Sequence, residues 1–589
     1  MKAPSVFFAL SALATAGNAQ FNDTWVKFEL DPNGVQSASP ITDNQNEADM
    51  DWGDLNGDGI ADLVVVRSRP NMFQGARTNV LLLSEGGNLV DRTSTLATAS
   101  DVPGDQGFLT ATQDRDVELV DVDNDGWLEV VTAPDFPNPA DPKHITHPRV
   151  YKNLGDGGGS WLGLRYEDGR FPTLVDATSG GVVAIRFMAV SSGDVDADGS
   201  ADLYFGDQDF TTAFSNEPAG FDVNDRLLFN DGAGFFTDVT TTAMTLTMAD
   251  SNYCNSVLLA DMNGDGSVDR LKQSSHSSPN AASIAYNSPT TPGSFLGQAN
   301  AYTGSPYFVN AGDLNQDGRL DVIISENGND RFLINTGNQP NGVVNFTTKT
   351  YQFLSGGDDS FASNNYVADL DGDGWPETLH CDVDPEISGF NRRLHIYHNL
   401  GGTVGGTDIE LREERQSNLD TDWIGVVGMT RNDMNGTHDV AIADFDGDGM
   451  NDMVISRQAG TVLWRQVKLW EGIGGSLAGT NGAPVLEGNG LLEPGAACSV
   501  STSNAFPNST AVVVIGFSEI NLPLLGGTLV PNADAILPAV FTNALGEVTV
   551  PFTWPGLAPP AVATFQTWIF DPGAPQSFAA TNALRAYAQ

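Results

Sequence analysis

The sequence predicts an all-β chain: a seven-bladed β-propeller over residues 20–484, followed by a small β-sandwich over residues 485–589. Three observations predict it. An acid-rich turn recurs seven times, β-prone runs flank each turn, and charge falls away abruptly near residue 485. The turn reads Asp-x-Asp/Asn-x-Asp-Gly-x-x-Asp/Glu and begins at Asp54, Asp121, Asp194, Asp261, Asp313, Asp369 and Asp444. The separations are 67, 73, 67, 52, 56 and 75 residues, so the turn belongs to a repeat rather than to chance.

The N-terminus reads as a secretory signal over residues 1–19. Lys2 supplies the positive end, Val6 to Ala14 the apolar stretch, and Gly17-Asn18-Ala19 the small-residue cleavage site. That run is too short to span a membrane, and no other segment has the length. The expectation is a protein that is secreted, extracellular or held at the cell surface.

Within a repeat the acid turn joins two strands. Phe187 to Val190 leads into Asp194–Asp202, and Leu203-Tyr204-Phe205 follows. A second hairpin comes next, Arg226 to Asn230 and Phe235 to Thr240, turning at Asp231-Gly232. Four strands per repeat is the content of one propeller blade. The second hairpin recurs at Asn79–Leu83, Val150–Leu154, Phe332–Thr336 and Leu394–Leu400, and is read again at Lys468-Leu469-Trp470-Glu471-Gly472. The seventh repeat lacks a last strand, and Phe21-Asn22-Asp23-Thr24 is the expected replacement, closing the ring with the chain's own two ends.

Calcium explains the turn. A hard divalent cation takes six to eight oxygens at roughly 2.3–2.6 Å. Positions 1, 3 and 5 place oxygen-bearing side chains inside the turn, position 6 reverses the backbone, position 7 offers its carbonyl, and position 9 closes the shell. The expected ligands are Asp54, Asn56, Asp58, Ile60 and Asp62 in loop 1, and Asp121, Asp123, Asp125, Trp127 and Glu129 in loop 2. Loop 3 offers Asp194, Asp196, Asp198, Ser200 and Asp202; loop 4 offers Asp261, Asn263, Asp265, Ser267 and Asp269. Loop 5 has Asp313, Asn315, Asp317, Arg319 and Asp321, and loop 6 has Asp369, Asp371, Asp373, Trp375 and Glu377. Loop 7 has Asp444, Asp446, Asp448, Met450 and Asp452, giving up to seven Ca²⁺. An EF-hand is excluded, because position 12 carries no Glu and the flanks are β-rich.

With 75 acidic against 28 basic residues, the formal charge is −47. Such a surface repels nucleic acid and anionic membranes and attracts divalent cations. The seven loops hold 25 of these carboxylates. Cysteines number three, too few and too scattered to staple the fold. A Cys254–Cys381 bridge and free buried thiols both remain open.

These loops and hairpins resemble FG-GAP/VCBS repeats, the blades of integrin-α-type seven-bladed propellers, over roughly residues 21–480. The resemblance implies calcium in the loops and a ligand-binding face. It transfers no ligand-contacting residue.

From Pro494 to Gln589 only Glu519, Asp534, Glu547, Asp571 and Arg585 are charged, and short β-prone runs alternate with Gly, Pro and Asn. Leu522 to Pro531 and Asn582 to Ala586 resemble a C-terminal module of exported bacterial proteins. Envelope attachment and passive stabilisation are its two readings.

Support for catalysis is thin: no nucleophile elbow, zinc-protease helix or P-loop is present. His144 and His147 lie in a Pro-rich insertion, and His395 and His398 point to opposite faces of one strand. Asp114/Asp116 is one of many acidic pairs a glycosidase or lyase would need. The favoured expectation is adhesion or ligand binding, to an extracellular carbohydrate or protein. The alternatives are a calcium-dependent polysaccharide lyase or glycoside hydrolase, and a structural envelope component.

Overall fold

The computed structural model describes residues 26–37, 47–68, 76–134, 147–175, 186–207, 224–250, 253–275, 280–326, 328–352, 362–382, 393–413, 426–427, 429, 431–457, 459–557 and 561–588. The signal segment, Phe21–Thr24 and His144 lie outside them.

Seven sheets of four or five strands carry the seven acid loops, one each. In every sheet an inner strand leads into the loop and the second strand leaves from its position-9 acid. Blade 1 pairs Glu47–Gly53 with Asp62–Ser68, and blade 2 pairs Asp114–Val120 with Glu129–Pro134. Blades 3 and 4 open with Phe187–Gly193 and Val257–Ala260, blades 5 and 6 with Pro306–Gly312 and Ala362–Ala368, and blade 7 with Thr437–Ala443. Inner strands of consecutive blades touch, and the inner strand of blade 7 touches that of blade 1. The ring is closed.

Burial explains the composition. Second strands such as Asp62–Ser68, Asp202–Asp207 and Asp321–Glu326 are buried along their whole length, which selects apolar runs such as Leu63 to Val66 and Val322 to Ile324 instead of alternation. The apolar cores lie in the seams. Val131 and Val150 of blade 2 pack with Phe187 and Phe205 of blade 3, and Ile284 of blade 4 packs with Val322 of blade 5.

Inner strands splay too far apart for a β-ladder, so side chains tie each to the next. Asp51 accepts from the Leu119 N–H at 2.6 Å, Asp116 from Val190 N–H at 2.6 Å, and the Ser191 hydroxyl from Leu259 N–H at 3.1 Å. The Ser256 hydroxyl accepts from Val309 N–H at 3.3 Å, while Asn310 Nδ2 donates to the Asn365 carbonyl at 2.8 Å. Ser363 Oγ donates to the His438 carbonyl at 2.6 Å, and Asp439 accepts from Met50 N–H at 2.7 Å. All seven junctions are covered. Buried backbone groups that no neighbouring strand can satisfy therefore find partners.

The seventh sheet runs Thr437–Ala443, Asp452–Arg457, Gly460–Gln466, Val26–Asp31 and Val426–Val427. An N-terminal strand does enter the last blade, and among the described residues it is Val26–Asp31. The third strand of that blade is Gly460–Gln466, which corrects the reading of Lys468–Gly472 as a blade hairpin. Trp470–Gly472 pairs instead with Leu584–Tyr587, at Trp470↔Ala586 and Gly472↔Leu584.

The chain divides into two compact units: residues 30–424 with 429–465, and residues 1–29 with 425–428 and 466–589. The change of unit thus falls near residue 466, ahead of the 484/485 boundary expected from composition. Besides a two-stranded sheet, Glu519–Leu524 with Gly527–Pro531, the second unit holds two larger sheets that share a core. One contains Thr510–Gly516 and Val562–Phe570; the other is Val485–Asn489, Ala497–Ser503 and Val548–Thr553. Their inward residues, among them Leu486, Val500, Ile515, Trp554 and Phe565, share one core. All three cysteines are free and buried, so no Cys254–Cys381 bridge exists.

Candidate metal-binding loops

Each loop is held open by its own acids. In loop 1 the Asp54 carboxylate accepts from the N–H groups of Gly57, Asp58 and Gly59 at 2.7, 3.1 and 2.8 Å, and Asp58 accepts from Ile60 at 2.9 Å. The position-9 acid spans strands: Asp62 accepts from Leu55 N–H at 3.1 Å and from Ser84 N–H, on the third strand, at 2.9 Å. Loops 2 to 6 repeat that span, as with Asp202 to Val195 and Asn230, both at 2.9 Å. Position 6 has φ between +78° and +92° in all seven loops, a backbone that glycine adopts without a Cβ clash.

This scaffolding leaves carboxylate oxygens turned toward one another. Ligand atoms of Asp121, Asp123 and Glu129 lie within 4.8 Å of one another, as do those of Asp194, Asp196 and Asp202, of Asp369, Asp371 and Asp373, and of Asp444, Asp446 and Asp452. These are the four loops with Asp at position 3; loops 1, 4 and 5 carry Asn56, Asn263 and Asn315 there. Hard oxygens at this spacing fit Ca²⁺, and Asp or Asn with the position-9 acid would hold it.

Burial pushes the position-9 acids up, beyond what their N–H donors can offset. Asp62, Glu129, Asp202, Asp269 and Asp321 are raised to about 7 and Glu377 to about 8. Neighbouring loop acids add to the rise, Asp371 beside Glu377 for instance. Such groups favour a cation that relieves them.

Three features escaped the sequence reading. The first is an asparagine on the third strand of blades 2 to 6. Asn153, Asn230, Asn287, Asn335 and Asn399 donate to the position-2 carbonyl of the preceding blade's loop: Leu55, Val122, Val195, Met262 and Leu314. The signal was present in Tyr-Lys-Asn, Phe-Asn, Tyr-Asn, Ile-Asn and His-Asn, at the end of that strand in four blades and three residues before its end, at Asn335, in the fifth.

The second is the residue just before it. Register puts Leu83, Lys152, Phe229, Tyr286, Ile334, His398 and Arg465 at one equivalent position, one beyond the residue paired with position 10. Lys152 Nζ lies 2.7 Å from Asp123, 2.6 Å from Asp125 and 3.2 Å from Glu129. Burial opposes its charge, but these acids more than compensate and hold the ammonium well above the ordinary lysine range. In loop 6, His398 Nε2 sits 3.6 Å from Asp371.

The third is a cavity of about 250 Å³ on the ring axis, lined by inner-strand residues that include Asp49, Trp52, Asp116, Glu118, Asn364 and Tyr366. Burial raises Asp116 to about 7 and Asp439 to about 6, with Glu118 and Asp439 repelling Asp116 further. Asp49, Asp51 and Glu118 shift the same way. An acid whose folded pKa is raised stabilises fully below its unfolded value, and the contribution is lost as pH climbs through the folded one. Calcium-free protein should therefore lose stability between about pH 4 and pH 7. Melts of wild type and of the Asp116→Asn/Asp439→Asn variant across that range should show a shallower decline in the variant. Parallel slopes would remove these acids from the account.

The other candidates are structural. Asp114 accepts from Asn79 and Thr112 at 2.5 and 2.6 Å. His147 is buried, 3.2 Å from the Pro148 carbonyl. His395 contacts Glu413 and Asp382 at 3.0 and 3.2 Å, and His380, absent from the sequence candidates, bridges Ser325 and Tyr351 at 2.7 and 2.9 Å.

A family model described as an FG-GAP-like repeat matches residues 54–132 and 279–379, taking in loops 1, 2, 5 and 6. No curated protein matches the chain. Among solved structures, the Dos1 propeller aligns over 75% of this chain and 96% of its own, at 12% identity and TM-score 0.34. A GH43 β-1,3-galactosidase with galactodeoxynojirimycin aligns over 59% of this chain and 100% of its own, at 8% identity and TM-score 0.31.

Proposed function

We propose, on the premise that this chain is a β-propeller built on FG-GAP-like repeats, that it is an exported calcium-stabilised protein that binds an extracellular carbohydrate or protein ligand. One observation carries the reading: seven acid turns of one geometry at the same place in seven blades. A ring of this kind presents a rigid face, and the axial cavity supplies a polar depression in it. Its mix of Trp52, Tyr366, carboxylates and the Asn364 amide suits a hydroxyl-rich ligand such as a sugar. The low-charge C-terminal unit then serves attachment to the envelope.

Glycan-array binding in calcium and in EDTA tests the proposal. Calcium-dependent retention of a glycan class, weakened by Trp52→Ala, is the expected result. A blank array together with no captured extracellular protein would leave a structural role in its place. The buried acids around the axis favour a lyase or hydrolase as the second reading, since Asp116 is held near a pKa useful for proton transfer. Release of unsaturated uronides or reducing ends from the retained glycan would select it.

A further inference from the structure

We propose that two of the seven acid loops are closed by the chain's own cations, Lys152 in loop 2 and Arg465 in loop 7, and take up no calcium. The inference rests on the calcium reading and divides the loops into two kinds.

Lys152 is seated in its loop. Its ammonium has three protons and three carboxylates around it, Asp123, Asp125 and Glu129, at 2.6–3.2 Å, and the side chain is only 15% exposed. A Ca²⁺ in this loop would need those same oxygens at roughly 2.3–2.6 Å. Nitrogen and ion cannot occupy one centre. A second cation, Arg170, approaches Asp123 from outside at 3.4 Å.

Arg465 reaches into loop 7 from the equivalent strand position and engages two of its acids. Its Nη1 lies 2.9 Å from Asp446 and 3.7 Å from the buried Asp452. Nε donates to Asp31 at 2.9 Å and Nη2 to the Gly87 carbonyl, so the guanidinium is held from both sides. In loops 1, 3, 4 and 5 the equivalent residue is Leu83, Phe229, Tyr286 or Ile334, which offers no charge. His398 of loop 6 is neutral unless protonated. Arg319 of loop 5 differs: it is 41% exposed and pairs with a single loop acid, Asp317.

Charge agrees with the assignment. Loops 2, 3, 6 and 7 hold four carboxylates where loops 1, 4 and 5 hold three; in loops 2 and 7 the resident cation cancels the extra one, while loops 3 and 6, with Phe229 and His398 at that position, keep all four. That arithmetic also fits a lysine that merely balances an acid beside a bound ion, and the ion count separates the two.

The test counts Ca²⁺ bound by the full chain after chelation and dialysis, using equilibrium dialysis with ⁴⁵Ca in millimolar calcium. Wild type should saturate at about five ions. Lys152→Met and Arg465→Met should each gain one, and the double variant two. Seven ions on wild type, or no gain in folded variants, would overturn the proposal. Should a variant fold only in calcium, that dependence supports it; should one not fold at all, the wild-type count decides alone. A wild-type count of zero refutes the calcium reading itself, a result distinct from seven.

Discussion

Removing calcium from the folded chain is expected to cost about 7–10 kcal/mol of stability, the sum of five to seven sites at ~1.4 kcal/mol each when calcium is ten times its Kd. That equals the whole stability of an ordinary domain. Its origin is visible in the loops. Three carboxylates face one another in loops 2, 3, 6 and 7, and position-9 acids such as Asp202 are buried against backbone donors that cannot neutralise them. Without the ion they must either repel or take up protons. Thermal melts in calcium and in EDTA at pH 7.5 should differ by ~10 °C or more. Superimposable melts would sink the claim that the loops are metal sites.

Asn230→Ala should be the most damaging single amide substitution, at about 3 kcal/mol. Asn230 Nδ2 donates to Val122 at 2.7 Å and to Ala201 at 2.9 Å, while Oδ1 accepts from Gly232 and Gly234 N–H at 3.1 and 3.0 Å. Alanine strands four backbone groups, two of them buried, at Val122 and Gly234, and each buried orphan costs ~1–3 kcal/mol before relaxation. Asn33→Ala, at an exposed turn, should stay within ~0.5 kcal/mol. Urea midpoints for the two would check this, and equal losses would show that the inter-blade amide is not what holds the seam.

What the sequence disclosed depended on whether the cause was local. The seven loops were legible because the acids, the glycine and the flanking strands all lie within about fifteen residues, and each has one geometric reason to be there. The inter-blade asparagines were in plain view, yet their partners lie 73 to 108 residues away, as with Asn335 to Met262 and Asn230 to Val122. Nothing local distinguishes them from turn residues. Lys468–Gly472 was misread for the same reason. Its apolar pair Leu469-Trp470 ahead of a glycine fits a blade strand, but the partner of Trp470 is Ala586, 116 positions on. Of the axial acids only Asp116 stood among the sequence candidates: Asp49, Asp51, Glu118 and Asp439 come from three blades, and ring closure is what brings Asp439 of blade 7 beside those of blades 1 and 2.

The amide link from one blade to the loop behind it runs from blade 6 back to blade 1, and Asn451 makes a similar bond to Asp369 between blades 7 and 6. At the last joint it stops. Ser84, where blade 1 would carry its asparagine, donates only within its own blade, to Ala61. Loop 7 is joined to blade 1 by Arg465 and the Gly87 carbonyl instead. Six joints of this wheel thus carry a neutral amide link at the loops, and the seventh carries an ionic clasp in its place, beside the Met50 N–H bond to Asp439. Brine is expected to weaken that clasp more than the six amides.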